Sequence, residues 1–308
     1  MPIFGVTPIF GIMINQLQTA VDLLEAVFVP LLLLELFVFR RARRLGWPRV
    51  KEMLANGGTF VLFVVAAAVG VVLWDPVFNG LESLVPWNIP TNWWTVPVAI
   101  VLADFIYYWE HRISHERRVL WDLAHSVHHS SPMYDQTTSI RLGAFDGLFA
   151  LVFTVPMVLL GFSAELSLVS SAIVLAYQTW IHTEIIDRMP RWFEAVLNTP
   201  SHHRAHHGDS APYLDVNYGG ILIVWDKLFG TFQPEIERPS YGLTEQIDSA
   251  NPFVIQFGQA RGLVSTLRRD PDWRTRWRRL WSRPGWQPDQ ADVVGGAEAA
   301  GAPGEVRS

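Results

Sequence analysis

Residues 111–129 read HRISHERRVLWDLAHSVHH, and the histidines in this stretch decide how the rest of the chain is read. Five of the ten histidines in the 308-residue chain fall here; the others are His182, His202, His203, His206 and His207. The first 110 and the last 101 positions hold none, which scattered core or surface histidines would not produce. Spacing says more than number. His111 and His115 stand one helical turn apart, as do His125 and His129, with His128 three residues after His125. His203, His206 and His207 repeat the HxxHH pattern of His125, His128 and His129. Neutral imidazole is the commonest transition-metal ligand, and i,i+4 pairs on a helix bring two ring nitrogens to one centre. A lone HxxxH is more often incidental or structural. Three such groups in one chain point to a metal site, and eight or nine imidazoles are too many for one ion, so two metals are expected.

Composition places this site at a membrane. Half of the residues are hydrophobic and 17% are charged, against about 25% in typical soluble domains. There are fourteen tryptophans, and mean hydropathy is positive. A net charge of -5 argues against a nucleic-acid partner. With no cysteine, the chain can build neither disulfides, iron–sulfur clusters nor a Cys nucleophile.

Apolar runs then give the organisation. Residues 1–15 lack the basic start and small-residue cleavage site of a signal peptide and are expected to be mature sequence. A first span is expected over 17–39, despite Asp22, Glu25 and Glu35, whose side chains should face the protein interior or the interface. Arg40, Arg41, Arg43 and Arg44 follow it and mark a cytoplasmic turn. A second span is read over 57–74. Residues 75–92 then form an acidic, Pro- and Trp-bearing outer loop. A third span over 93–109 is flanked by aromatic residues and delivers His111 to the cytoplasmic side, with which Arg117, Arg118 and Arg141 agree. An apolar hairpin follows (142–162 and 166–181), turning at Gly161-Phe162-Ser163 and returning to the side it left. Every histidine group therefore falls on the cytoplasmic face. After Asn217-Tyr218-Gly219-Gly220 breaks the chain, residues 221–232 read as a short apolar helix against the lipid. Residues 251–286 interleave eight arginines with Phe, Leu and Trp, as an interfacial helix on anionic headgroups would.

The expected fold is therefore all-α: an integral membrane bundle of about four to five membrane helices with a cytoplasmic helical histidine-box domain. Residues 1–110 form the N-terminal transmembrane part. Residues 111–242 form the catalytic part, including the 142–181 hairpin. Residues 243–286 are basic amphipathic helices, and 287–308 are a disordered tail.

HRISH, HSVHH and HRAHH in that order, with His182 between the second and third, resemble the fatty acid hydroxylase and sterol desaturase superfamily of membrane-bound di-iron oxygenases. DFIYYWEHRISHE, LWDLAHSVHHSS, TPSHHRAHHG and NYGGILIVWDKLFGTF look most like its alkylglycerol monooxygenase branch and bacterial relatives; this closer match covers roughly residues 104–242. The resemblance implies that His111, His115, His125, His128, His129, His203, His206 and His207 are metal ligands and that His182 is the superfamily's isolated ninth. His202 precedes the pattern and is expected to be structural or substrate-facing. Imidazole alone suits Zn, Cu, Fe and Ni. The resemblance favours two Fe ions with O2 as co-substrate, although Zn would also fit an all-nitrogen shell. It also implies a lipid C–H hydroxylase, at an ether-bearing carbon if the branch carries over, with tetrahydrobiopterin as the external reductant. No histidine outside these groups remains to bind a fused heme, so a separate electron donor is expected.

Carboxylates near the histidines are candidates to orient the imidazoles: Asp104, Glu110, Glu116, Asp122 and Glu184, with Glu116 and Asp104 preferred. Each could equally be a satisfied interfacial acid. Asn217 and Tyr218 could line the site or only make a turn, while Asp226 and Lys227 look structural. Alternatives to a hydroxylase acting on a membrane lipid are a lipid, sterol or hopanoid desaturase, which begins with the same hydrogen abstraction, and a di-zinc membrane hydrolase or a metal-binding structural protein. The nearly pure histidine donor set counts against a hydrolase. The bacterial inner membrane or the endoplasmic reticulum is the expected location.

Overall fold

The structure, a computed structural model, describes residues 8–288; the expected disordered tail lies almost wholly outside them. The described residues are helical, with β contact limited to the bridges Leu197–Leu222 and Gly208–Tyr241. Three long helices come first: α1 (Pro8–Arg41), α2 (Trp47–Leu84) and α3 (Thr95–Glu116). A broken helical passage follows, made of α4 (Arg118–Leu120), a π turn (Trp121–His125) and α5 (Ser126–His129). After it come the hairpin α6 (Asp146–Leu159) and α7 (Ala164–Thr179) and the short helices α8 (Arg191–Glu194), α9 (Pro200–His206) and α10 (Val224–Phe229). The last pair is α11 (Pro252–Arg269) and α12 (Trp273–Trp281).

All five apolar runs are helices. α7 packs against α1 and α3, and α6 against α2 and α3, so the hairpin sits inside the arch of the long helices. Ala99 and Ala103 of α3, Met157 of α6 and Val174 of α7 form the core of that contact. The outward faces stay apolar: Val61, Val65, Val72 and Leu73 of α2 and Leu33 and Phe37 of α1 are more than half exposed. Among the described residues one helix, Trp47–Leu84, is long and apolar enough to cross a membrane. It is longer than the expected span, continuing through Pro76 over what reads in sequence as the start of the outer loop. The hairpin helices have 14 and 16 residues, about 21 and 24 Å at 1.5 Å per residue, short of a roughly 30 Å hydrocarbon core.

The hairpin turn falls where the sequence places it. Gly161 has φ +97, a left-handed conformation that favours glycine, and its carbonyl accepts the Ile89 N–H at 2.8 Å. The far end of the hairpin therefore rests on the 85–94 connection. At the opposite end, Arg44 ion-pairs with Glu184 and Arg49 with Asp135 at 2.8 Å, which ties the arginine-rich turn after α1 to the histidine region. Glu35 faces the interior and accepts the Gln136 N–H and the Thr183 hydroxyl, each at 2.5 Å.

Three sequence readings are corrected. The apolar 221–232 segment has only six helical residues, and it folds onto α3, with Phe229 against Phe105, Tyr108 and Trp109. The basic 251–286 segment is two helices broken at Asp270-Pro271-Asp272, and Arg279 is not a surface charge: it is buried in a paired contact with Asp270 at 2.6 and 2.7 Å. Arg141, which reads as one of the charges marking the cytoplasmic side, is buried, only 1% exposed.

Candidate metal centre

α3, the π turn with α5, and α9 each bring histidines to one place, and His182 joins them just past the end of α7. The nine expected ligands fall into two sets. One ring nitrogen from each of His111, His115, His125, His129 and His206 lies within 4.8 Å of the others, and the same holds for His128, His182, His203 and His207. Adjacent residues divide between the sets: His128 and His129 part company, as do His206 and His207, because successive side chains on a helix point about 100° apart. The His129 and His207 rings stack at 4.3 Å where the sets meet. His202 belongs to neither and packs edge-on to Phe232.

Proton positions follow from what stands behind each ring. A backbone carbonyl only accepts, so the nitrogen facing it must donate. His111 Nδ1 donates to Tyr218 O at 2.9 Å, His128 Nδ1 to Arg141 O at 3.1 Å, His182 Nδ1 to Gln178 O at 2.8 Å and His206 Nδ1 to Val216 O at 2.7 Å. In the neutral ring Nε2 then carries a lone pair. His128 Nε2 and His182 Nε2 face each other at 3.2 Å with no proton to share, an arrangement that repels unless a cation accepts both. Nε2 of His115, His129 and His206 is buried without a partner among the described residues. Two nitrogens about 2.1 Å from a common ion at tetrahedral or octahedral angles lie roughly 3.0–3.4 Å apart. The closest Nε2 pairs span 2.9 to 3.3 Å. The donor set fits two metal ions.

Electrostatics agree. Burial first, and neighbouring imidazoles after it, hold His111, His115, His129, His182, His203 and His207 well below the usual histidine value. Burial lowers His128 and His206 to about 3. These eight rings are thus neutral at physiological pH, the form that binds metal.

The carboxylates preferred from sequence stand elsewhere. Asp104 spends its oxygens on Ile221 N at 2.6 Å, Leu222 N at 3.1 Å and Trp225 Nε1 at 2.8 Å, fastening α3 to the segment that carries the Tyr218 carbonyl. Glu116 pairs with Arg112 at 3.2 Å and Arg283 at 2.9 Å. Asp122 pairs with Arg118, and Glu184 with Arg44. The carboxylates that do face imidazoles are Asp215, 3.6 Å from His115 Nδ1, and Asp146, 3.9 Å from His125 Nδ1. Sequence reasoning missed both: Asp215 lies eight residues past the last box, at φ 58, and Asp146 begins the hairpin. Most of the outer layer is main chain, which no residue type advertises.

The surrounding scaffold is polar and buried. Arg141 Nε donates to Val127 O at 3.1 Å and Ser130 Oγ at 2.9 Å, and its Nη1 to Glu52 and Asn56, so one arginine joins α2 to α5 beside the carbonyl that holds His128. Arg204 is fully buried against Glu235 and the carbonyls of Thr183, Ile186 and Asp187. Asp226 accepts the Tyr218 and Gly219 N–H groups at 2.7 Å each, which sets the Asn217-Tyr218-Gly219-Gly220 turn behind His111.

Two cavities adjoin the site. One of about 130 Å³ is bounded by His111, His125, His128 and His182, with Glu110, Ser114 and Asp146. The second, about 220 Å³, is apolar and runs between α2, α3, α6 and α7.

The fatty acid hydroxylase family model matches residues 96–231. Alkylglycerol monooxygenase of Xenopus tropicalis is 39% identical over 203 residues, 66% of this chain and 44% of that protein. The alkylglycerol monooxygenase of Danio rerio is 32% identical over 290 residues, 89% of this chain and 61% of that protein. The ornithine lipid hydroxylase of Rhizobium tropici is 30% identical over 176 residues, 55% and 52%. The chain spans about half the length of the curated relatives it matches. No solved structure matches it.

Proposed function

We propose that this chain, whose residues 96–231 match the fatty acid hydroxylase family model, is a membrane-bound lipid hydroxylase that uses O2 and two iron ions to oxidise a C–H bond. The observation that carries this reading is the convergence of nine ring nitrogens into two sets, in one of which the Nε2 lone pairs of His128 and His182 face each other with no proton between them. The two sets would each hold one ion: His111, His115, His125, His129 and His206 the first, and His128, His182, His203 and His207 the second. Bound iron would supply the redox capacity that side chains lack, activating O2 against an unactivated C–H bond.

The protein's own part is binding, orientation and exclusion of water. Burial keeps the imidazoles neutral, so metal binds without first displacing their protons. The carbonyls of Tyr218, Arg141, Gln178 and Val216 fix each ring's tautomer and direction. The apolar cavity between α2, α3, α6 and α7 suits a hydrocarbon chain reaching the site from the lipid side. In this reading residues 1–110 anchor the protein in the bilayer, 111–242 form the catalytic part with its hairpin dipping into the membrane, and 243–286 rest on the headgroups. Exposed Trp273, Trp277 and Trp281, flanked by Arg274, Arg276 and Arg278, support that last placement. The arginine turn tied to the histidine end supports a cytoplasmic orientation for the site.

Relatives named for alkylglycerols and an ornithine lipid support a lipid substrate, with an alkylglycerol ether the first to test. Reducing equivalents would come from a separate donor, tetrahydrobiopterin in the first instance. The test is oxygen uptake by iron-loaded protein with an alkylglycerol and reductant, followed by product mass. Gain of one oxygen atom is the expected result, and loss of two hydrogens would make the enzyme a desaturase. No oxygen consumption with any lipid, together with hydrolysis by the zinc form, would overturn the oxygenase reading. The two sets contain no carboxylate, which disfavours that hydrolase outcome.

A further inference from the structure

We propose that Glu110 selects and orients the substrate: its carboxyl hydrogen-bonds a hydroxyl at the head end of a single-chain lipid whose tail lies in the apolar cavity. The carbons next to that hydroxyl then face the histidines. This inference rests on the lipid hydroxylase reading.

The two cavities adjoin along a shared wall, and the proposed lipid spans them together as one passage. Phe63, Tyr107, Glu110, Gly147, Ala150 and Leu175 form walls of both. The far half is bounded by side chains such as Val71, Leu151 and Phe153, and the near half by imidazoles and polar groups. Most of those polar groups are spoken for. The Tyr107 hydroxyl donates to Gln178 Oε1 at 2.8 Å, and Gln178 Nε2 donates to Val174 O at 3.2 Å. Ser139 Oγ donates to Gln136 O at 2.8 Å. Asp146 Oδ2 accepts the Gly143 N–H at 2.7 Å, and its Oδ1 faces His125.

Glu110 differs: none of the side-chain hydrogen bonds or ion pairs among the described residues involves it. Ser114, one turn further along α3, likewise stands on the near wall. Glu110 is half-buried and stands on the walls of both cavities, so its carboxyl is available to a ligand held there. A hydroxyl suits it best, because it can donate to a carboxylate or accept from a carboxylic acid, whereas an ether or ester oxygen only accepts. The tunnel fixes the orientation. The long apolar half takes the tail, so the oxygen-bearing end stays with Glu110 beside His111, His125, His128 and His182. Oxidation is thereby directed to head-proximal carbons rather than to the far end of the chain. Gly147 and Phe63 both stand on the shared wall, and a Cβ at Gly147 would lie 3.2 Å from Phe63 Cε2, so a large side chain there would obstruct the junction.

The test uses the full-length, zinc-loaded protein, in which binding is read without turnover. Hexadecane-1,2-diols carrying a diazirine beside the diol or at the chain end are photolysed, and the labelled residues are mapped by mass spectrometry. The head probe is expected on Ser114, Ser139 or Leu142 and the tail probe on Val71, Leu151 or Phe153. Unlabelled diol should compete at least about tenfold better than its dimethyl ether. Glu110→Leu should erase that preference and Glu110→Gln should keep it, with zinc content unchanged in both. Gly147→Leu should abolish tail labelling. Reversed labelling, labelling outside the passage, a diol preference that survives Glu110→Leu, or a Glu110→Gln variant as weak as Glu110→Leu would each overturn the proposal. Correct labelling without oxygen incorporation by the iron form would instead sink the hydroxylase reading alone.

Discussion

The five-histidine and four-histidine sets share the second and third histidine groups, while the first group serves only the larger set and His182 only the smaller, and the two are backed differently. In the five-histidine set, His111 and His206 lean on carbonyls, while His115 and His125 have the carboxylates of Asp215 and Asp146 at 3.6 and 3.9 Å. In the four-histidine set, His128 and His182 lean on carbonyls alone, and all four rings are buried. Each set presents two of its histidines to the cavity, so a substrate meets both. A carboxylate behind a ligating imidazole adds negative charge and raises the ligand's basicity. Two ions bound here would therefore be inequivalent, with the firmer hold in the five-histidine set.

The largest test of that contrast is His128→Ala. It should abolish activity and strip metal from the four-histidine set while membrane insertion stays intact, as measured by metal content per chain and membrane fractionation. Loss of both ions at once would show that the sets are not separable, and retained turnover would contradict the site assignment.

Acid should act next. His128 and His206 have folded-state values near 3, below the ordinary 6.5. The unfolded chain therefore binds protons first as pH falls below about 6.5. Stability of the metal-free protein should be full above that value and fall progressively down to about pH 3, read as the thermal midpoint against pH. Metal loading should move the loss to lower pH, and a midpoint flat across this window would contradict neutral burial.

Arg141→Met removes the guanidinium from which Glu52 and Asn56 Oδ1 accept, and it loosens the segment whose carbonyl holds His128. A cost of about 3–5 kcal/mol is expected from chemical denaturation, with metal lost from the four-histidine set first. Asp215→Asn should weaken metal binding in the five-histidine set by about 10–100-fold, leaving the other ion in place. Stepwise removal by a chelator reads this directly, and equal weakening of both ions would erase the proposed difference. The smallest change belongs to His202→Phe. That ring lies outside both sets, so metal stoichiometry should be unaltered and the stability change below about 1.5 kcal/mol.

How much was legible depended on whether side chains or main chain did the work. The histidine spacing marked eight of the nine clustered rings, the family resemblance added His182 and set His202 apart, and the apolar runs marked α1, α2, α3, α6 and α7 as helices. The orienting groups were hidden because four of them are backbone carbonyls, which look the same at every position. Asp104 misled by proximity. It lies two turns before His111 on α3, yet its oxygens point to the backbone of residues 221 and 222. Arg141 misled by its charge, since polar partners from α2 and α5 make burial affordable.

Sequence by itself determined that ten histidines occupy three short zones and that an apolar hairpin separates the first from the other two, so convergence at one end of the helices was the consistent outcome. Only the tertiary structure decided which ring joins which set and which atom carries the proton on His111, His128, His182 and His206. Neighbouring histidines on one helix diverge by about 100°, and their fate depends on what packs opposite. A ring's tautomer depends on the acceptor behind it, and that acceptor comes from a distant part of the chain: Tyr218 stands 107 residues from His111.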